Sequence, residues 1–248
     1  MMVFRNAAAS DRPALTRLWQ EGFGDPVAFI DLFLESGFAP ERSLVAELDG
    51  EVAAMLYWFD CTLGSDRYGY IYAVATDPRF QGRGIASMLM AEAHGLLARQ
   101  GYTGAILSPG SESLFRFYGR MGYETCGWVA QSMVCAGAPV PVRQISVEEY
   151  APLRARMLPD NGMVQEGANL AYLSRFAKFY TGEDFLAAVA GCSVAEFLGN
   201  EARIPGLLGA LGLESAQVRR PGSDRPLVMG LRFDGEKFPA VYFGFPFD

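Results

Sequence analysis

The chain has 248 residues, half of them hydrophobic and one-fifth charged, a composition that suits a globular protein with one large core or two modest ones. Its 21 basic and 28 acidic residues leave a net charge of −7, which argues against non-specific nucleic-acid binding and leans slightly toward a cationic ligand. No apolar run reaches the ~20 residues of a bilayer span, and Cys61, Cys126, Cys135 and Cys192 lack the C-x-x-C spacing of a zinc site or disulfide framework. They read as small buried apolar residues. The start, Met1-Met2-Val3-Phe4-Arg5-Asn6, lacks the pattern of a secretory signal, so a cytoplasmic location is expected.

In chain order, Met2-Val3-Phe4-Arg5 predicts a short strand, and Ser10 or Asp11 can cap a helix with Pro13 in its first turn. Leu15, Leu18 and Trp19 give that helix a buried side, and a second helix is expected over 26–36 with Phe29, Ile30, Phe33 and Leu34. Asp49-Gly50 tolerates the positive φ of a tight turn between strands at 44–48 and 52–58. A further strand, 70–75, is followed by a glycine-rich turn and a helix whose apolar face carries Ile85, Met88, Leu89, Ala93, Leu96 and Leu97. His94, the only histidine, lies in that helix and reads as a packed or surface residue. Then come a strand at 104–107, a helix at about 113–121 and a final strand pair ending near Val134.

The junction around 76–86 is built to hold phosphate. Gly82 and Gly84 carry no Cβ, so a diphosphate can approach the backbone while the first free N–H groups of the helix point at it, and Arg83 adds a cation. A dinucleotide G-x-G-x-x-G reading fails at Ser87, and there is no G-x-x-x-x-G-K-[ST] loop. Gln81, Gly84 and Ala86 instead match the Q-x-x-G-x-A loop of the GCN5-related N-acetyltransferases. Phe117-Tyr118-Gly119-Arg120-Met121-Gly122-Tyr123 resembles the F-Y-x-x-x-G-[FY] segment ending the fourth helix of the same family.

The resemblance covers roughly residues 1–135. It implies an α/β (α+β) fold with a mixed central sheet flanked by helices, and an acyltransferase moving an acetyl group from acetyl-CoA to an amine. The pantetheine arm would run beside the backbone of Ala73, Val74 and Ala75, with an N–H near Val74 facing the thioester oxygen. Gln81, Gly82, Arg83, Gly84, Ile85 and Ala86 would hold the pyrophosphate. Tyr118 would be the general acid for the departing thiolate, a phenol protonated at neutral pH; from the residues alone it reads as a packed aromatic. Ser111 stands where the family often has asparagine and would touch the coenzyme or cap the fourth helix. Arg79 reads as a phosphate contact or as surface. No metal is implied.

The general base stays open among Glu21, Asp25 and Glu35, with the terminal carboxylate at Asp248 as a further candidate. The acceptor is a small-molecule amine or a peptide; nucleic acid and membrane are not expected, and a homodimer is possible in this reading. An acyl-CoA-binding sensor without turnover is the alternative function.

Residues 136–142, Ala136-Gly137-Ala138-Pro139-Val140-Pro141-Val142, read as a linker. They divide an acetyltransferase domain at 1–136 from a smaller α/β domain at 143–248. The second part predicts helices at 147–157 and 170–179, a strand at 185–189, and a helix capped by Ser193 with Glu196. A helix near 207–211 and strands at 216–219, 228–233 and 240–243 follow. It is similar to the degenerate second module of two-domain members of the superfamily. It carries no second Q-x-x-G-x-A and is expected to bind no coenzyme.

Overall fold

The computed structural model describes residues 1–165 and 167–244. The first half builds β1 (Met2–Arg5), α1 (Arg12–Phe23), α2 (Val27–Ser36), β2 (Ser43–Leu48), β3 (Glu51–Leu63) and β4 (Asp66–Thr76). It continues through α3 (Ile85–Arg99), β5 (Gly104–Leu107), α4 (Glu112–Gly119) and β6 (Glu124–Cys135). Local chemistry explains the boundaries. Pro13 sits in the first turn of α1, whose end is closed by Gly24 at φ 76°. Asp49 and Gly50, with φ 51° and 87°, turn β2 into β3.

After residues 136–142, which form neither helix nor strand, come β7 (Arg143–Ile145), α5 (Val147–Met157), β8 (Val164–Gln165) and α6 (Ala168–Leu173). Then follow β9 (Ala177–Thr181), β10 (Phe185–Ala190), β11 (Ser193–Gly199), α7 (Ile204–Ala210), β12 (Ser215–Pro221) and β13 (Arg225–Arg232). Ser146 and Glu149 form a reciprocal capping box at the start of α5.

Among the described residues, thirteen strands form one sheet in the order β1-β2-β3-β4-β5-β13-β6-β12-β11-β10-β9-β7, with β8 paired to β3. The order reads as a palindrome of two equivalent series. Strands β1 to β4 pair antiparallel in the first half, as β7, β9, β10 and β11 do in the second. The fifth strand of each series then adds in parallel, β5 on β4 and β12 on β11. The last strand of each half crosses over: β13 lies between β5 and β6, and β6 lies between β12 and β13. The two halves therefore share one hydrogen-bonded sheet.

One face of the sheet carries a common core in which Leu15, Leu18, Trp19 and Phe33 meet Tyr150, Tyr172 and Phe179. On the other face each half keeps its own core. Ile85, Leu89, Ala93 and Leu97 of α3 pack on β2 to β5, and Ile204, Leu207 and Leu208 of α7 pack on β10 to β12.

The structure corrects several expectations. β6 is a single strand where a strand pair is expected, because β13 supplies the second partner from far along the chain. The helix expected over 170–179 ends at Leu173, and 177–181 alternates buried and exposed positions as β9. Ser193 and Glu196 do not cap a helix; they lie in β11, hydrogen-bonded between β10 and β12, where sheet pairing overrides a two-residue local signal. Residues Val241 and Tyr242 make isolated bridges to Gly127 and Gly162 rather than a strand. Cys61 and Cys126 are buried as expected, whereas Cys135, at the end of β6, and Cys192, in the β10–β11 turn, are exposed. No described helix is long and apolar enough to cross a membrane. Asp248 lies outside the described residues.

Candidate active site

β4 and β5 pair only at Tyr68 with Gly104, Gly69 with Ala105 and Tyr70 with Ile106. Beyond that point β5 ends and β4 runs on to Thr76, so the two strands part. A cavity of about 530 Å³ opens there, lined by Ile71, Tyr72, Ala73 and Val74 on one side and by 107–111, Leu114 and Tyr118 on the other. Its far wall is Trp19, Gly22, Phe23, Asp25 and Phe29. The segment after β5 is tied across the sheet by the Ser108 hydroxyl, which donates to the Leu227 carbonyl at 3.0 Å.

The cavity-facing stretch of β4 is irregular. Met55 pairs with Ala75 and Tyr57 with Tyr72, so β4 carries one residue more than β3 between the two pairs. Ala73 takes φ 49°, a left-handed conformation that costs a residue with a Cβ about 1–3 kcal/mol. Such a bulge releases peptide groups from the ladder, and it does so where Ala73 and Val74 line the cavity. Ala75 is already back in the ladder and buried, outside the lining.

β4 leads directly into the glycine turn. Gly82 and Gly84 adopt φ 74° and 76°, and a Cβ built on either would meet nothing within 4 Å, so the backbone is open on that side. Gly84 is the N-cap of α3 and offers no side-chain cap to the first-turn N–H groups. Arg83 is exposed, its guanidinium 5.4 Å from the Phe80 ring and without a carboxylate partner among the described residues. Gln81 fastens the turn, its amide donating to the Thr76 carbonyl at 3.1 Å. Ile85 is buried under the helix and Ala86 is half-buried, so these two shape the turn from below. The turn lies outside the cavity lining, but exposed backbone with free N–H groups and a cation fits a diphosphate.

Arg79 is committed elsewhere. Its guanidinium bonds Asp77 at 2.8 Å and reaches Glu51 at 3.0 Å. Asp77 is 1% exposed and also receives Arg17 at 2.7 Å; Arg79 first, and then Arg17, hold its carboxyl well below the usual carboxylate range. The cluster anchors the turn to α1.

Tyr118, near the end of α4, is buried and lines the cavity, with its ring edge-on to Tyr123 at 5.8 Å. Burial pushes its phenol up to about 12, which keeps it protonated at neutral pH. Ser111 is the N-cap of α4, its hydroxyl accepting from the Leu114 N–H at 3.4 Å, and it also lines the cavity. His94 is not among the described residues that line the cavity. It meets the Tyr123 hydroxyl at 2.8 Å, and desolvation pushes it down to about 4.

Of the three carboxylates considered for the base, Glu21 is paired with Arg17 at 3.1 Å and Glu35 with Arg175 at 3.7 Å, both toward solvent. Asp25 alone of the three lines the cavity, where it accepts from the Trp19 indole N–H at 2.8 Å. The aromatic far wall escaped the sequence reading because Trp19 and Phe29 carry helical core spacing. Tyr172 of α6, whose hydroxyl meets that of Tyr72 at 3.3 Å, gave no signal at all. No group of three or more metal-ligating side chains is found among the described residues.

Comparison with known proteins agrees with this geometry. The family model for the GNAT acetyltransferase domain matches residues 3–126. Among solved structures, a GCN5-related N-acetyltransferase from Kribbella flavida superimposes with TM-score 0.72 at 17% identity, covering 94% of this chain and 71% of that one. Eis1 from Mycobacterium abscessus gives TM-score 0.69 at 14% identity over 94% and 74% of the two chains. A GCN5-related N-acetyltransferase from Anabaena variabilis gives 0.70 at 14% over 93% and 72%. At these identities the structures speak to the fold. A search among functionally curated proteins finds no match. With half the chain matched by the family model, and with a splayed β4–β5 pair leading to a glycine turn, this chain belongs to the GNAT acetyltransferase family, as an acyltransferase that uses acetyl-CoA.

Proposed function

We propose that the protein is an N-acetyltransferase in which an amine attacks the thioester directly, with Tyr118 as the general acid. The observation that carries this reading is the placement of a strained bulge at Ala73 and a buried, protonated Tyr118 around one cavity at the parting of β4 and β5. Acetyl-CoA, when bound, supplies an acetyl group already activated as a thioester. Backbone groups freed by the bulge at Ala73 and Val74 orient that end and offer an N–H to the oxygen as its charge grows. Gly82, Arg83 and Gly84 receive the diphosphate, and Ser111 borders the pantetheine channel.

The acceptor nitrogen must be neutral to attack. Asp25 takes its proton, directly or through one water, as the new C–N bond forms. The C–S bond breaks, and Tyr118 gives its proton to the leaving sulfur and regains one from solvent. Proton transfer of this kind is worth ~100- to 10,000-fold in rate. The second half binds no coenzyme in this reading and serves as a brace for the acceptor wall. Action in the cytoplasm is part of the same proposal.

The test is thiol release from acetyl-CoA in the presence of amines, with coenzyme affinity measured by calorimetry on the same preparation. Gly84→Glu places a carboxylate in the turn and is expected to abolish both coenzyme binding and turnover. Wild-type affinity in that variant would move the coenzyme away from the α3 turn and overturn the reading.

A further inference from the structure

The amine side of the cavity has a wall chemistry of its own. Trp19, Phe23, Phe29, Tyr70 and Tyr72 converge on it from α1, α2 and β4. The rings hold one another: Trp19 lies edge-on to Tyr72 at 5.5 Å and to Phe23 at 5.9 Å. Phe29 is backed by Tyr172 at 6.1 Å and Phe176 at 5.8 Å, so the second half stiffens the wall. Phe23 is 48% exposed and marks the mouth.

Charge is scarce against this wall. Among the described lining residues Asp25 is the lone carboxylate, and none is lysine or arginine. Asp25 accepts from the indole N–H, in the plane of the Trp19 ring, so one anionic site lies at the edge of the aromatic wall. One ammonium group can be received there by the carboxylate while its apolar body meets the rings. Among the described lining residues a second ammonium would meet no further counter-charge and the carboxylate of a free amino acid no cation, so both carry a desolvation penalty. The apolar rings reward a flat hydrophobic body.

We propose that the acceptor is a monocationic primary amine on a short arm from an aromatic or compact apolar body, of the arylalkylamine class, with Phe29 as the specificity-determining residue and Asp25 as the counter-charge to its ammonium. This rests on the acetyl-transfer reading above. It excludes polyamines, aminoglycosides and free amino acids as preferred substrates, although the net charge of the chain alone leans toward cations of any valence.

The experiment compares 2-phenylethylamine, ethylamine, spermidine, kanamycin and phenylalanine by thiol release on the full chain. The expected result is a kcat/KM for 2-phenylethylamine at least ~10-fold above each of the others. Phe29→Ala should lower kcat/KM for 2-phenylethylamine by ~10- to 100-fold but leave the ratio to wild type much closer to one for ethylamine, which does not reach the wall. Asp25→Asn should lower turnover of every amine. Unchanged coenzyme affinity and thermal midpoint in both variants show that they fold. Preference for spermidine, kanamycin or phenylalanine, an equal effect of Phe29→Ala on both monoamines, or coenzyme binding with no turnover of any amine overturns the proposal while leaving coenzyme binding in place. Absence of acetyl-CoA binding to the wild-type chain removes the reading on which it rests.

Discussion

The two halves of the sheet follow the same order of strands, yet different groups stand against the fourth strand of each. In each, the fourth strand bulges: β4 has its extra residue between Tyr72 and Ala75, and β11 has one between Val194 and Glu196. After β4 the chain makes an open glycine turn and the 15-residue α3. After β11 it makes a turn filled by its own side chain, the Asn200 amide oxygen accepting from the Ala202 N–H at 3.1 Å, and then the 7-residue α7. Between β5 and β6 stands α4 with Tyr118, whereas β12 turns into β13 with no helix between them.

The polar chemistry differs in the same way. At β11 the fully buried Glu196 receives Arg154 of α5 at 2.7 and 3.0 Å, Tyr150 at 2.7 Å and Tyr242 at 3.0 Å. These bonds lock α5 and the C-terminal segment onto the sheet where α1 and β4 leave a cavity. The lesson is that this topology supplies a bulged strand, and the groups placed against it decide whether it becomes a site or a brace.

The sharpest way to test the contrast is Tyr118→Phe, which has no counterpart in the second half. Its kcat is expected to fall ~100- to 10,000-fold with coenzyme affinity nearly unchanged, as read by turnover and calorimetry on one sample. Next comes Arg154→Met, which strands the Glu196 carboxylate in the interior. A loss of about 3–5 kcal/mol in urea unfolding is expected, and changing Glu196→Leu as well should restore much of it.

Acid should probe the first half through His94, the sole histidine of the chain. Its folded pKa, pushed down to about 4 by burial, lies below its unfolded value. The folded state therefore binds fewer protons in that window, and stability held above pH ~6.5 is lost as pH falls toward ~4. The loss is on the order of 2 kcal/mol given the partial exposure of the ring, and His94→Gln should flatten that segment of the urea-midpoint profile. The smallest effect is expected from Asn200→Ala. Removing that cap should cost ~1 kcal/mol of stability and leave coenzyme affinity untouched, as the proposed seat of the diphosphate is the turn before α3.

What was legible in the sequence was local. Gly82 and Gly84 announce their turn because positive φ favours glycine, whereas Gln81, Gly84 and Ala86, like Phe117 to Tyr123, are legible through their resemblance to family motifs. The bulge was not legible, since Ala73 is a residue that rarely takes φ 49° and nothing in its neighbours marks it. Nor was the aromatic wall, because Trp19, Phe29 and Tyr172 obey the spacing of core residues whether or not one edge faces a cavity. The strand exchange depends on pairs such as Leu107 with Met229, which no window of sequence contains. At Ser193 and Glu196 a local signature was present and sheet pairing overrode it.

That exchange of terminal strands also sets a schedule. During synthesis β5 and β6 emerge long before β13, and until it arrives the wedge between them is two unpaired strand edges, open to wrong partners. Contacts so distant along the chain fold slowly, and here they secure a wall of the cavity: Ser108, beside the site, is fastened to Leu227 at the head of β13. A nascent chain that has already made its glycine turn and its Tyr118 is thus still without a finished cavity. The protein's own topology postpones competence until β13 has been made.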